Sequence, residues 1–229
     1  SMVARSRDGT WVVADGMGGH KNGQYASRTL IAHVEKAVLP SNLEEACDAL
    51  AGAIHDANDE IYREAASQGE QMGTTVVAMV IRDDEFVVLW TGDSRAYLLR
   101  DDVLHQLTRD HTQVQEMLDR GMLNAEQAEN HPMGHVLARA VGVQQELEID
   151  AISDTAQVGD VFLLCSDGLH GVIEESEIVE IISTTGRQNS ERLIAACLEK
   201  GAPDNVSVAL VRVHEPTTLS YQANQEMTS

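Results

Sequence analysis

Basic side chains, aromatic rings, paired cysteines and long apolar runs are all scarce in this sequence. Lys and Arg number 16 against 37 Asp and Glu, a formal net charge of −21. Such a field repels a polyanion, so no nucleic-acid partner is expected. No apolar run approaches the ~18–20 residues that cross a bilayer, and no signal-peptide pattern opens the chain. The expectation is therefore a cytoplasmic protein without a membrane partner. Three cysteines, Cys47, Cys165 and Cys197, form no pair motif and sit among apolar residues, as buried thiols in a reducing compartment do. Neither a zinc-like Cys/His spacing nor a Cys-x5-Arg nucleophile motif occurs. At 3% aromatic residues, with an acidic surface, the sequence offers no legible peptide-recognition groove.

What is present is a chain of 229 residues, 43% apolar, long enough for a sizeable core. Ser1-Met2 reads as a remnant of expression cloning. Runs rich in Val, Leu and Thr predict strands at Trp11 to Ala14, Thr74 to Arg82, Glu85 to Thr91, Ala96 to Arg100, Asp160 to Cys165 and Val206 to Val213. Asp-Asp pairs inside "IRDDEFVVLW" and "YLLRDDVLHQL" predict hairpins of an antiparallel sheet. Helical spacing runs from Asn42 to Ala66 and from Gln24 to Val38, and shorter helices fit 112–120, 175–183 and 190–200. Helices grouped around antiparallel strands argue for a layered α+β fold rather than a doubly wound sheet. No repeat or linker marks a boundary, so one domain is expected over 1–213. Within it, 111–142 reads as a flap-like insertion, and 214–229 as a loose tail.

Four aspartates share one setting. Asp15 ends "WVVADG", Asp93 follows "FVVLWTG", Asp167 ends "VFLLCSDG", and Asp204 opens "DNVSVALVRV". Each stands where an apolar run begins or ends, where a rigid sheet can hold a side chain open to solvent. Asp-Gly at a strand end is also a common turn, so any one of them alone reads as a turn residue. Four together, with no Lys or Arg beside Asp15, Asp167 or Asp204, would repel one another unless a cation lay between them. Oxygen donors of this kind select Mg²⁺, Mn²⁺ or Ca²⁺ over zinc.

"VADGMGGH", "MGTTVVA", "GDSRAY", "LTRDHT", "HPMGHVLARAVG", "CSDGL" and "PDNVSV" occur in an order and spacing that resembles the metal-dependent protein phosphatases of type 2C, in particular the bacterial serine/threonine branch. The resemblance spans about residues 11 to 213. It implies a four-layer αββα sandwich, two antiparallel sheets flanked by helices, with two divalent ions (Mn²⁺ or Mg²⁺) and a possible third at one end. It implies hydrolysis of phosphoserine and phosphothreonine by attack of a metal-bridging hydroxide. On the matching motifs, Asp15 would bridge the two ions and Gly16 would offer its carbonyl to the second. Asp167 and Asp204 would complete the first, and Asp93 would join Asp167 at the third. His20 resembles the group that protonates the leaving alkoxide, a task that suits a pKa near ~6.5. His111 and His131 read as structural hydrogen-bonders. Partners implied are phosphorylated proteins or peptides and a cognate serine/threonine kinase; residues that bind substrate stay unassigned.

The resemblance also has a gap. The family pattern opens with "R-x-x-N-E-D" about twenty residues before its "ADG", and no such motif precedes Asp15. Arg5 and Arg7 have the wrong spacing for its arginine. The expectation is a sequence that lacks that first strand, binds phosphate weakly and exposes a sheet edge. Two other readings remain open: a phosphatase-like domain that binds without turnover, and a calcium-binding structural domain.

Overall fold

Several runs are apolar at every position because both of their faces are buried. The computed structural model describes residues 1–129, 131–184, 188–202 and 204–215. Its strands are β1 (Met2–Arg5), β2 (Thr10–Val13), β3 (Gly16–Met17), β4 (Gly73–Thr74), β5 (Val76–Arg82), β6 (Glu85–Thr91), β7 (Arg95–Arg100), β8 (Val103–Gln106), β9 (Asp150–Thr155), β10 (Val161–Cys165) and β11 (Val208–Arg212). The helices are α1 (His20–Lys36), α2 (Leu43–Gln68), α3 (Gln113–Asp119), α4 (Ala125–Glu129), α5 (Asp167–His170), α6 (Glu175–Ile182) and α7 (Asn189–Glu199). One sheet runs β1-β2-β5-β6-β9 and the other β11-β10-β7-β8, with every neighbouring pair antiparallel. A two-stranded ribbon, β3-β4, stands apart.

Three apolar layers hold these pieces together. Val12, Ala78, Val80 and Leu89 of the first sheet pack on Leu30 and Val34 of α1 and Leu50, Ile54 and Ile61 of α2. The alternate residues Val13, Val77, Met79 and Val88 turn the other way and meet Leu98, Phe162 and Leu164 of the second sheet. Leu99, Leu163 and Cys165 on that sheet's outer face pack on Ile178 and Ile182 of α6 and Leu193 and Cys197 of α7. The order is helix, sheet, sheet, helix, the layered sandwich expected. All three cysteines are free thiols, two of them buried.

The expected hairpins form between β5 and β6 and between β7 and β8. Asp83, Asp101 and Asp102 take left-handed backbone angles there (φ 52°, 51° and 62°), a conformation in which Asp is better tolerated than most residues. Other expectations shift. Helix α1 begins at His20 rather than Gln24, because Gly23 is a helical residue and not part of a loop. A Cβ on Gly16 would lie 1.9 Å from the Gly23 carbonyl oxygen, so the glycine pair lets β3 and α1 touch backbone to backbone. The last strand starts at Val208, two residues later than Val206. Strand β1, MVAR, is too short and β9, DAISDT, too polar to stand out as strands; both are edges with one face or more in water. β1 pairs with β2 at the edge, its Val3 packed against the α1–α2 layer. The segment 111–142 carries α3 and α4 and is tied back by the Thr112–Leu137 bridge. Of the expected tail, 216–229 lies outside the described residues.

The interface between the sheets is the part most sensitive to truncation. Phe86 and Phe162 meet edge to face there, ring centroids 4.8 Å apart, and both are fully buried. Phe162→Ala should cost about 3–5 kcal/mol in urea unfolding; a loss below about 1 kcal/mol would show that the layers do not depend on this contact.

Candidate active site

Register brings the aspartates together. Cys165, the last residue of β10, pairs with Arg95 at the start of β7 and with Val208 at the start of β11. Asp167 lies two residues after that end, Asp93 two before β7, and Asp204 four before β11. In the other sheet Val13 pairs with Val77 and Val76 with Thr91, so the chain leaves β2 at the same end of the sandwich, and Asp15 follows. All four carboxylates line one cavity of about 680 Å³, together with Gly16. Among the described residues no three carboxylate, imidazole or thiol side chains close into a ready-made metal cage. The donors line an open cavity instead.

Their electrostatics are those of like charges crowded out of water. Burial, then the neighbouring Asp167 carboxylate within hydrogen-bonding reach, and then Asp204, push Asp15 up to about 7. Burial, followed by the charges of Asp167 and Asp110, pushes Asp93 up to about 7 as well. No Lys or Arg forms an ion pair with Asp15, Asp93, Asp167 or Asp204 among the described residues. Arg95 of "GDSR" is committed elsewhere: it forks onto Asp110 (2.9 and 2.7 Å) and donates to the Tyr97 hydroxyl at 3.0 Å. Oxygen donors without basic partners fit hard divalent cations, which would hold the four charges together.

The backbone around these donors is pinned by groups that sequence reasoning passed over and by His111, which the sequence marks as a structural hydrogen-bonder. Asp15 N–H donates to Thr75 Oγ1 at 3.1 Å, Thr75 N–H to the Asp15 carbonyl at 2.8 Å, and Thr74 Oγ1 to that same carbonyl at 2.9 Å. Thr75 Oγ1 also bonds Ser94 Oγ at 2.7 Å, linking the Asp15 turn to the Asp93 turn. The signal was available: "GTT" puts two hydroxyls against a run otherwise wholly apolar. On the other side of Asp93, Gly92 N–H donates to His111 Nδ1 at 3.1 Å, while His111 Nε2 meets Asp150 at 3.1 Å. The His111 ring stacks on Trp90, whose indole donates to the Arg109 carbonyl. His131 Nδ1 accepts from Met133 N–H at 3.2 Å. His170 bonds the Asp93 carbonyl at 3.0 Å, a further anchor with no sequence signal.

Gly16 has an ordinary φ and is needed for its close approach to Gly23, whereas Gly18 and Gly19 take positive φ (104° and 89°). The side chain of His20 lies outside the described residues; its backbone opens α1. Neither Arg5 nor Arg82 reaches the cavity. Arg5 bonds Asp8 and the Val34 and Ala37 carbonyls, and Arg82 the Pro40 carbonyl.

Fold and site together describe a two-sheet sandwich with an oxygen-donor centre at one end, an architecture suited to metal-assisted hydrolysis. The family described as Protein phosphatase 2C matches residues 2–117. A serine/threonine phosphatase stp of Listeria innocua is 38% identical over 208 residues, covering 87% of this chain and 82% of the relative. The solved structure of PppA, a regulatory component of the type VI secretion system in Pseudomonas aeruginosa, superposes with a TM-score of 0.84 at 36% identity, over 92% of this chain and 88% of that one. The catalytic domain of the phosphatase PstP in complex with two manganese ions superposes with a TM-score of 0.81 at 33% identity, covering 94% and 91%. The chain belongs to the protein phosphatase 2C family.

Two outcomes follow for the cluster. Thr75→Val leaves the Asp15 N–H and the Ser94 hydroxyl without their buried partner, and should cost about 1–3 kcal/mol in denaturant unfolding; an unchanged midpoint would remove Thr75 from the network. Asp15 and Asp93 hold protons in the folded state up to about 7 but only to ~3.9 when unfolded. Their contribution is therefore present below about pH 4 and lost as pH rises through about 7. In EDTA, Tm should fall between pH 5 and 8, and Asp15→Asn should flatten that fall. Millimolar Mn²⁺ should restore the wild type at pH 8. Identical pH profiles for the two proteins would contradict this electrostatic picture.

Proposed function

We propose that this chain is a metal-dependent serine/threonine protein phosphatase, hydrolysing phosphoserine and phosphothreonine esters of proteins. The observation that carries the reading is the convergence of Asp15, Asp93, Asp167 and Asp204 on one cavity without an ion-pair partner. Asp15, Asp167, Asp204 and the Gly16 carbonyl would hold two divalent ions, Mn²⁺ or Mg²⁺, with Asp93 and Asp167 available to a third. When bound, such ions neutralise phosphoryl charge and acidify a water enough for it to attack near neutral pH.

The chain's own groups account for the rest. The four strand ends fix the donors on a rigid platform, so little reorganisation is needed as charge develops on the phosphoryl group. Attack in line with the ester breaks the P–O bond to the serine or threonine oxygen, and that oxygen takes a proton. His20, at the first turn of α1 beside the glycine-rich loop, is the proposed donor of it. Arg95 is occupied by Asp110 and Tyr97, so it ties the start of β7 to the chain at Asp110 rather than holding the substrate phosphate.

A non-catalytic phosphatase-like domain is the weaker reading, because the relatives are themselves named phosphatases and all four proposed donors share the cavity. We further propose a single catalytic domain over 1–213, with 111–142 bordering the substrate. The setting proposed is a bacterial cytoplasm, opposite a serine/threonine kinase in signalling. No helix among the described residues is long and apolar enough to cross a membrane.

Turnover of a phosphothreonine peptide should require millimolar Mn²⁺ and vanish in EDTA. Asp15→Asn or Asp167→Asn should lower kcat/KM by about a hundredfold or more, about 2.7 kcal/mol of transition-state stabilisation, with little change in fold. Metal-independent turnover, or a fully active Asp15→Asn, would overturn the reading.

A further inference from the structure

The cavity that gathers the four carboxylates extends beyond them, and its far side is apolar. Met17, Tyr62, Ala66, Met72, Val136 and Val143 line it. At about 680 Å³ it is the size of a pocket for a small ligand, and a phosphorylated hydroxyl side chain would occupy only the carboxylate end. Val136 and Val143 remain 40% and 42% exposed at its mouth, so large apolar surface faces the space where a substrate would lie. Glu70 stands at the same wall, which disfavours an acidic occupant.

This apolar wall is built in place. Met17 in β3 pairs with Gly73 in β4, and a Cβ on Gly73 would lie 2.8 Å from Val143 Cγ2 and 3.6 Å from Met17 Cγ. The bare glycine thus lets the two side chains close over it. The loop that carries Val143 is bonded on both sides. Thr74 and Val141 exchange two backbone bonds of 2.9 Å. Asn58 of α2, only 1% exposed, accepts from Gly142 N–H at 2.7 Å and donates to the Gln144 and Gln145 carbonyls at 3.0 and 3.2 Å. A buried amide whose bonds all go to one loop keeps that loop's valine at a set distance from the carboxylates.

We infer that this wall is a subsite for an apolar side chain of the phosphoprotein substrate, Leu, Ile, Met or Phe, two positions from the phosphorylated residue. The inference rests on the phosphatase reading and adds substrate class to it. The occupant follows from continuity: the wall and the proposed metal donors share one cavity, so a chain with its phosphate among the carboxylates must also lie against the wall. The spacing follows from geometry, since in an extended segment residues two apart face the same way and adjacent ones face opposite ways. The composition, so poor in aromatics, gave no sign of this groove; it is assembled from four separate stretches of chain.

The test uses Mn²⁺-loaded protein and phosphothreonine peptides with glycine at every flanking position except one, where Leu is placed at −2, −1, +1 or +2. Leu at −2 or +2 should raise kcat/KM by about tenfold or more over the all-glycine peptide, and Leu at −1 or +1 should not. Ala66→Trp, which fills the groove from an exposed helical position, and Val143→Ser, which removes apolar surface at its mouth, should each bring that ratio towards one. Affinities for the same peptides carrying a non-hydrolysable phosphonate should follow the same order, a readout independent of turnover. A ratio near one for wild type at every position, or a preference that survives both substitutions, overturns the subsite and leaves the phosphatase reading standing. No turnover of any peptide by wild type overturns that reading and the subsite with it.

Discussion

Repulsion among carboxylates held at one end of a double sheet is the constraint on which the rest of this structure depends. Asp15 and Asp93 are pushed up to about 7 because burial and neighbouring negative charge act in the same direction. A fold could relieve that strain by placing an arginine beside them. Here Arg95, two residues from Asp93, is bound to Asp110, and no Lys or Arg among the described residues forms an ion pair with the cluster. Such a cluster tolerates being built only if it is filled, by protons at low pH or by divalent cations near neutrality. Stability and chemistry therefore draw on the same groups.

Holding like charges close requires a platform that does not yield, and most of the surrounding polar contacts serve that end. Thr74 and Thr75 fix the turn at Asp15. Ser94, His111 and His170 fix the turn at Asp93. Behind Asp15, Asp93 and Asp167 lie β2, β5, β7 and β10, strands buried along most of their length, so these carboxylates are anchored to the packed core between the layers. Movement of one strand relative to another would displace a carboxylate, which couples the apolar core between the sheets to the site at its end. The two glycines that touch backbone to backbone, Gly16 and Gly23, extend the same rigidity into the first turn of α1.

The architecture also divides the cavity by chemistry. Strand ends supply charge on one side; α2, β3 and the loop after Val141 supply apolar surface on the other. A phosphorylated side chain has this same division, a charged ester on an otherwise ordinary peptide. The acidic surface as a whole would add a weak, salt-dependent preference for basic regions of a substrate, without distinguishing one short segment from another.

Much of this was legible in the sequence for a physical reason. Strands buried on both faces must be apolar throughout, so β5, β6, β7 and β10 announce themselves, and a polar residue that interrupts such a run marks where the chain leaves the sheet. That is why Asp15, Asp93 and Asp167 stand out in the sequence itself. Edge strands carry no such demand, and β1 and β9 passed unseen; the start of α1 was hidden because Gly23 reads as a loop residue until Gly16 is laid against it. Sequence alone determined the layered class and the candidate donors, since these follow from local periodicity and residue chemistry. Only the tertiary structure decided that β2, β7, β10 and β11 end or begin at the same rim, that Arg95 is spent on Asp110, and that Met17, Tyr62 and Val143 share a wall. Those are consequences of register between segments far apart in the chain, which no local pattern encodes.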